Sequence, residues 1–353
     1  MTTELVKIDP NNQIESDRQL LKAGSIIKQG GLVAFPTETV YGLGGDALNA
    51  ESSSKIYAAK GRPSDNPLIV HIADMDALDA IVSSIPESAV KLAKAFWPGP
   101  LTLVFPKSDI VPHTTTGGLD TVAVRMPSDA TALSLIRYSG GYIAAPSANA
   151  SGRPSPTAAQ HVMEDLDGRI DMVVDGGSCS IGLESTIVDL TGDIPMILRP
   201  GFISKEMLES VVGAVTIDPA ISGPMDSSVH PKAPGMKYRH YAPKGSLAIV
   251  SGNADNVSDY IRSRISEDLR SGRRCGVIAC SDRIDKYSAA DFLGNVGNAD
   301  DEISISSHIY DFLRQCDEQN IECIYSEEFD TPQLGMAIMN RLMKAAGHTI
   351  IRV

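Results

Sequence analysis

The sequence predicts an α/β protein in two parts: an N-terminal mixed α/β domain around a curved sheet, and a smaller C-terminal Rossmann-like domain with a parallel sheet. Three observations carry this. At 353 residues the chain is long for one hydrophobic core. Short apolar runs alternate irregularly with helical patterns over residues 20–198, whereas a regular β-α-β-α-β-α order closes the chain. Between the two, periodicity disappears and Pro, Gly, Ser, Met and basic residues take over. The expected division is therefore a catalytic-type domain over 1–215, a basic Pro-rich linker over 216–245, and the Rossmann-like domain over 246–353.

Taken in order, Leu20, Leu21, Ala23, Ile26 and Ile27 have helical spacing, and Gly30-Gly31 stops that helix. Strands are expected at 32–35, 68–72, 101–105, 121–125, 142–145, 172–174, 185–190 and 196–198. Helices are expected at 52–59, 75–82, 87–96, 131–138 and 157–166, the last with Ser155 and Pro156 as N-cap and first-turn residues. After the linker come strands at 247–250, 275–280 and 321–325, with helices at 257–269, 307–315 and 336–346. No G-x-G-x-x-G loop follows the first of these strands, which argues against dinucleotide binding there.

Composition limits the function. With 42% hydrophobic and 21% charged residues the chain reads as an ordinary soluble protein. No apolar run approaches the roughly 18 residues of a membrane span, and the N-terminal stretch is polar and acidic, so a cytoplasmic protein without membrane contact is expected. A formal charge of −13 argues against a dedicated nucleic-acid binder, so direct tRNA binding should be weak or absent. The five cysteines read as core thiols, and neither they nor the seven histidines show metal-ligand spacing.

Three segments are polar beyond what a core requires. Lys60-Gly-Arg62-Pro-Ser64 places two cations in a loop stiffened by Gly and Pro; the plain alternative is a solvated helix end. Ser147-Ala-Asn149 leaves a strand and leads toward a helix, with no Asp or Glu between Asp129 and Glu164; a helix N-terminus there would seat a phosphate, and an ordinary Ser/Pro turn is the alternative. The stretch 231–244 interleaves cations and aromatics in an acid-free run, which suits a nucleotide but also a solvated linker. His71 lies within a strand, where a structural role is the simpler reading. Arg125 and Arg199 end apolar strands, either to clamp a carboxylate or to form ion pairs.

These segments, together with Phe35-Pro-Thr-Glu-Thr-Val-Tyr-Gly-Leu43, Trp97-Pro-Gly-Pro100, Ala123-Val-Arg125 and Glu184-Ser-Thr186, resemble the YrdC-like family. The linker and Gly335-Met-Ala-Ile-Met-Asn-Arg341 are similar to the longer, two-domain threonylcarbamoyl-AMP synthases. The resemblance implies a reaction of L-threonine, bicarbonate and ATP. It also implies Mg²⁺ arriving with ATP and a threonylcarbamoyl transferase complex, acting on tRNA, as acceptor of the product. Lys60 and Arg62 would hold phosphates and the forming carbamate, with Ser64 beside them. Ser147 and Asn149 would bind the nucleotide, aided by Thr116 and Ser155. Thr37, His71, Arg125 and Ser185 would shape the threonine site. Arg199 and Tyr241 would close over the nucleotide, and Lys237, Arg239, His240 and Tyr241 would form a lid. The alternative from another class is an RNA-binding or translation-regulating module without catalysis.

Overall fold

A computed structural model describes residues 2–221, 233–234 and 240–353. They form two compact units. The first comprises most of residues 1–238, and the second comprises 239–353 with two short insertions from earlier in the chain, Gly152–Pro154 and Ile181–Leu183.

The first unit is built on strands β1 (Glu4–Lys7), β2 (Val33–Phe35), β3 (Gly42–Asp46), β4 (Ile69–His71), β5 (Leu101–Pro106), β6 (Thr121–Arg125), β7 (Ile143–Ala144), β8 (Met172–Asp175), β9 (Thr186–Asp189), β10 (Met196–Arg199) and β11 (Thr216–Ile217). They join in one mixed sheet of order β1-β8-β2-β3-β7-β4-β6-β5-β9-β10-β11. Buried Leu43, Val70, Leu103, Val124, Ala144 and Val188 share one core cluster, and Val33, Phe35, Ile143 and Val174 belong to a second. Burial of such residues is the main stabilising term. Thr216 and Ile217, expected to open the linker, instead form β11. The Thr216 amide donates to Pro195 O (2.9 Å) and the Asp218 amide to Ile197 O (2.9 Å), so the neighbouring edge strand recruits them.

Helix Ala50–Lys60 shows how local chemistry delivers a site residue. Asn49 caps its start, its side chain accepting from the Glu51 and Ser52 amides. Gly61, at φ 63°, ends it in the left-handed conformation that glycine adopts without steric cost. Lys60 is thus the last helical residue, and Arg62 stands just past the turn.

The second unit is an all-parallel five-stranded sheet, β14-β13-β15-β12-β16, from β12 (Ser246–Ser251), β13 (Cys275–Ala279), β14 (Phe292–Asn295), β15 (Cys323–Glu327) and β16 (Ile350–Arg352). The Rossmann-like expectation holds, with two strands more than the periodicity indicated. Val257, Ile261 and Ile265, at helical spacing on Ala254–Arg270, pack on Val250, Val277 and Tyr325. All five cysteines are buried free thiols. Among the described residues no helix is long and apolar enough to cross a membrane.

Candidate active site

Strand register assembles a polar row. His71 lies opposite Arg125 on the parallel pair β4/β6, and Thr102 lies opposite Arg125 on the antiparallel pair β5/β6. Thr102 Oγ1 is 2.7 Å from Ser185 Oγ, and Arg199 donates to Ser185 through Nη2 (to Oγ, 3.1 Å) and Nε (to the carbonyl, 3.1 Å). Three expected threonine-site residues, His71, Arg125 and Ser185, therefore stand abreast with Arg199, and all four are buried. Burial, and then the charge of Arg125, lowers the His71 pKa from 6.5 to about 3, so the imidazole is neutral at physiological pH. Its Nδ1 lies 3.1 Å from Ile69 O.

Arg125 is held on three sides. Nε donates to Gly99 O (3.3 Å), Nη1 to Thr39 Oγ1 (2.8 Å), and Nη2 lies 2.7 Å from Glu38 Oε1. Thr37, expected to help shape the threonine site, makes hydrogen bonds within its own loop. Its hydroxyl donates to Val40 O (2.7 Å) and accepts from the Thr39 and Val40 amides at 3.2 and 3.3 Å. Its work is to fix the turn that presents Glu38 and Thr39 to the guanidinium.

The two segments resembling family motifs meet in space. Lys60 Nζ donates to Ser147 O (2.5 Å), to the Asn149 carbonyl, and to Asn149 Oδ1 at 3.4 Å. Ser147 Oγ in turn donates to Asn149 Oδ1 at 2.6 Å. A buried ammonium thus organises the Ser147–Asn149 loop, an arrangement whose charge-assisted bonds are among the stronger ones available to a side chain. Arg62 folds back on the Asn66 and Pro67 carbonyls at 3.2 and 3.0 Å.

One expectation about local structure needs correction. Ser155 is not a helix cap. Tyr41 N donates to Pro156 O (2.8 Å) and Cys179 N to Thr157 O (2.9 Å), which holds this segment outside the helix, and the helix begins only at Ala159 with Ala158 as N-cap. Ser155 Oγ instead donates to buried Glu184 Oε1 at 2.5 Å. The Ser147–Asn149 loop is consequently not a helix entrance. Thr116 spends its hydroxyl on Leu119 O (2.6 Å), and exposed Ser64 lines a cleft of about 470 Å³ with Tyr57, Asp65 and His113 that none of the other candidates lines. In the second unit, Tyr241 is buried at φ 66°, its ring 5.1 Å from that of Tyr310 with the Arg341 guanidinium 5.9 Å over it; His240 lies beside it, ring centroids 5.5 Å apart. Lys237 and Arg239 lie outside the described residues. Glu38, Thr102, Asp129 and Glu184 carry no assignment in the sequence reading. An acid between two threonines, Thr37-Glu38-Thr39, was the available signal for the first.

Comparison with known proteins decides the family. Residues 25–201 match the Sua5/YciO/YrdC model described as "Telomere recombination", and residues 203–347 match "Threonylcarbamoyl-AMP synthase, C-terminal domain". The threonylcarbamoyl-AMP synthase of Bacillus subtilis is 47% identical, with 100% of both chains covered. The chain belongs to the threonylcarbamoyl-AMP synthase family. The Pyrococcus abyssi threonylcarbamoyl-AMP synthase is 48% identical over 98% of this chain and 99% of its own. A crystal structure of P. abyssi Sua5 complexed with L-threonine matches with a TM-score of 0.92 and 46% identity, covering 100% of both chains. A two-domain nucleotidyltransferase-type enzyme of this family is thus what the chain encodes, rather than a non-catalytic RNA-binding module.

Proposed function

We propose that the protein condenses L-threonine, bicarbonate and ATP into threonylcarbamoyl-AMP and pyrophosphate, and that a threonylcarbamoyl transferase acting on tRNA takes the product. The observation that carries this is the convergence of Lys60 on the Ser147–Asn149 loop within the unit that also sets Arg125, Ser185 and Arg199 in one row. Family membership and the relative bound to L-threonine support the amino-acid half of the reading.

In the proposed sequence, the threonine amine adds to bicarbonate with loss of water, giving a carbamate. A carbamate oxygen then attacks the α-phosphorus of ATP, the bond to the bridging β-phosphate oxygen breaks, and pyrophosphate leaves with its electron pair. Such phosphoryl chemistry needs positioning and charge neutralisation more than a protein nucleophile. Lys60 and Arg62 would neutralise phosphate and carbamate oxygens, and Ser147 and Asn149 would orient the nucleotide. His71, being neutral, adds no competing cation beside Arg125, which would take the threonine carboxylate. Mg²⁺ would come as a complex with ATP; among the described residues no cluster of three His, Cys, Asp or Glu side chains could hold a metal. The nucleotide role is proposed for residues of the first unit.

The test is pyrophosphate release by the purified chain. It should require both L-threonine and bicarbonate, with a threonylcarbamoyl adenylate seen by mass spectrometry. Equal release from ATP alone would overturn the synthase reading.

A further inference from the structure

The Glu38–Arg125 pair is an incomplete ion pair. Both side chains are buried, at 9% and 5% exposure, and their closest atoms are 2.7 Å apart. Yet neither Glu38 Oε1 nor Oε2 accepts a hydrogen bond, and Arg125 Nη2 donates none. A pair kept for stability alone would align its hydrogens, because buried charges left without them are costly. Here three buried polar atoms of opposite sign lie side by side without hydrogen bonds, and the same guanidinium donates to the Thr39 hydroxyl. An α-amino acid carries its ammonium and its carboxylate on adjacent carbons. Its two charges can therefore lie alongside such a pair with the signs crossed, carboxylate on the guanidinium and ammonium on the carboxylate.

We propose that Glu38 is the specificity-determining residue that receives the α-ammonium of the amino-acid substrate, so that Glu38 and Arg125 together select a zwitterion. This rests on the reading of the site as the threonine site. Among the described residues, Asp129 is a second carboxylate close by, which feels the charge of Glu38. Its oxygen already caps helix Ala130–Tyr138, accepting from the Ala132 amide at 2.9 Å. Cys179 is likewise near, but burial pushes its thiol up to about 12, so it is a neutral neighbour. Glu38 is then the carboxylate with capacity to spare, and its loop is locked by Thr37, which pre-organises it for an incoming cation.

Calorimetry with two ligands tests this. L-Threonine and 3-hydroxybutanoate share the carboxylate and the hydroxyl, and the second lacks the amine. The wild-type chain should prefer L-threonine by tenfold or more, and Glu38→Gln should reduce that ratio to near one while leaving ATP binding in place. Taking a ratio cancels any change in how tightly Arg125 holds carboxylates. Glu38→Asp, which keeps the charge but withdraws it by one methylene, should give an intermediate ratio, and it serves if the glutamine variant does not fold. An unchanged ratio in the variants, or no preference in the wild type, overturns the role of Glu38. Failure of the wild type to bind L-threonine at all would instead strike the threonine-site reading beneath it.

Discussion

Removing one member of the Glu38–Arg125 pair should cost far more than removing both. Arg125→Leu leaves a carboxylate buried at 9% exposure without its counter-ion, and Glu38→Leu does the converse to the guanidinium. At such burial solvent screening offers little relief, so each single change should destabilise the first unit by about 3–5 kcal/mol. The double Leu variant deletes both charges and fills the space with apolar atoms; it should recover most of that loss, so the coupling energy should exceed the loss in either single variant. The sequence supplies its own probe. Trp97 is its single tryptophan, buried in the first unit with Nε1 donating to Leu101 O at 2.6 Å, so its fluorescence reports unfolding there. With a urea slope of about 2–3 kcal/mol/M, each single variant should unfold roughly 1–2.5 M earlier than the wild type. Additive losses in the double variant would show that the two side chains do not form an energetically coupled pair, and would remove the basis for a zwitterion clamp.

Three further outcomes follow from individual residues. Because burial and Arg125 hold the folded pKa of His71 near 3 against 6.5 when unfolded, the unfolded chain binds a proton that the folded chain refuses. The His71 contribution is therefore intact above pH 6.5 and is lost as pH falls from 6.5 toward 3, at about 1.4 kcal/mol per pH unit. His71→Gln should flatten the urea midpoint over that range, and an unchanged profile would refute a neutral buried imidazole. Ser155→Asp should shift the midpoint down strongly, because it sets a second carboxylate against Glu184; a tolerated aspartate would restore the helix-cap reading. The thiols of Cys179 and Cys316 are pushed up to about 12 and that of Cys280 to about 11, chiefly by burial, so a thiol reagent at pH 8 should label none of them before unfolding.

Much of the fold was legible because hydrophobic periodicity is a local signal. Glu87–Phe96, Thr121–Arg125 and the core strands of the second unit appear where their patterns lie. What escaped was structure that depends on a neighbour. Gly42-Leu-Gly-Gly-Asp46 has almost no side chains to show a period, yet it is β3. A Cβ on Gly44 would fall 2.8 Å from Ile143 Cγ2 and 2.9 Å from Phe35 Cε1, so the glycines are there to let the flanking strands' side chains in. Strands β1, β11 and β16, of two to four residues, exist because an adjacent strand offers its hydrogen bonds.

The site divides along the same line. Residue types and their grouping into segments could be read, and the resemblance placed Lys60, Ser147, Asn149 and Arg125 in it. The geometry that gives them meaning comes from register: His71, Arg125 and Thr102 come from three strands between residues 69 and 125, and they become neighbours only when β4, β6 and β5 pair. The Ser155 expectation failed for a related reason. Local preference favoured a serine cap, but the carbonyls of Pro156 and Thr157 were already taken by Tyr41 and Cys179, two residues far away in the chain. Glu38 is the sharpest case. As a letter in Pro36-Thr-Glu-Thr it reads like any solvent-facing loop acid, and nothing local says that its carboxylate will be buried 2.7 Å from a guanidinium contributed by a strand more than eighty residues later. A buried charge of that kind is stable only beside its opposite. The cost of leaving both incompletely hydrogen-bonded is therefore the physical reason to seek a ligand that completes them.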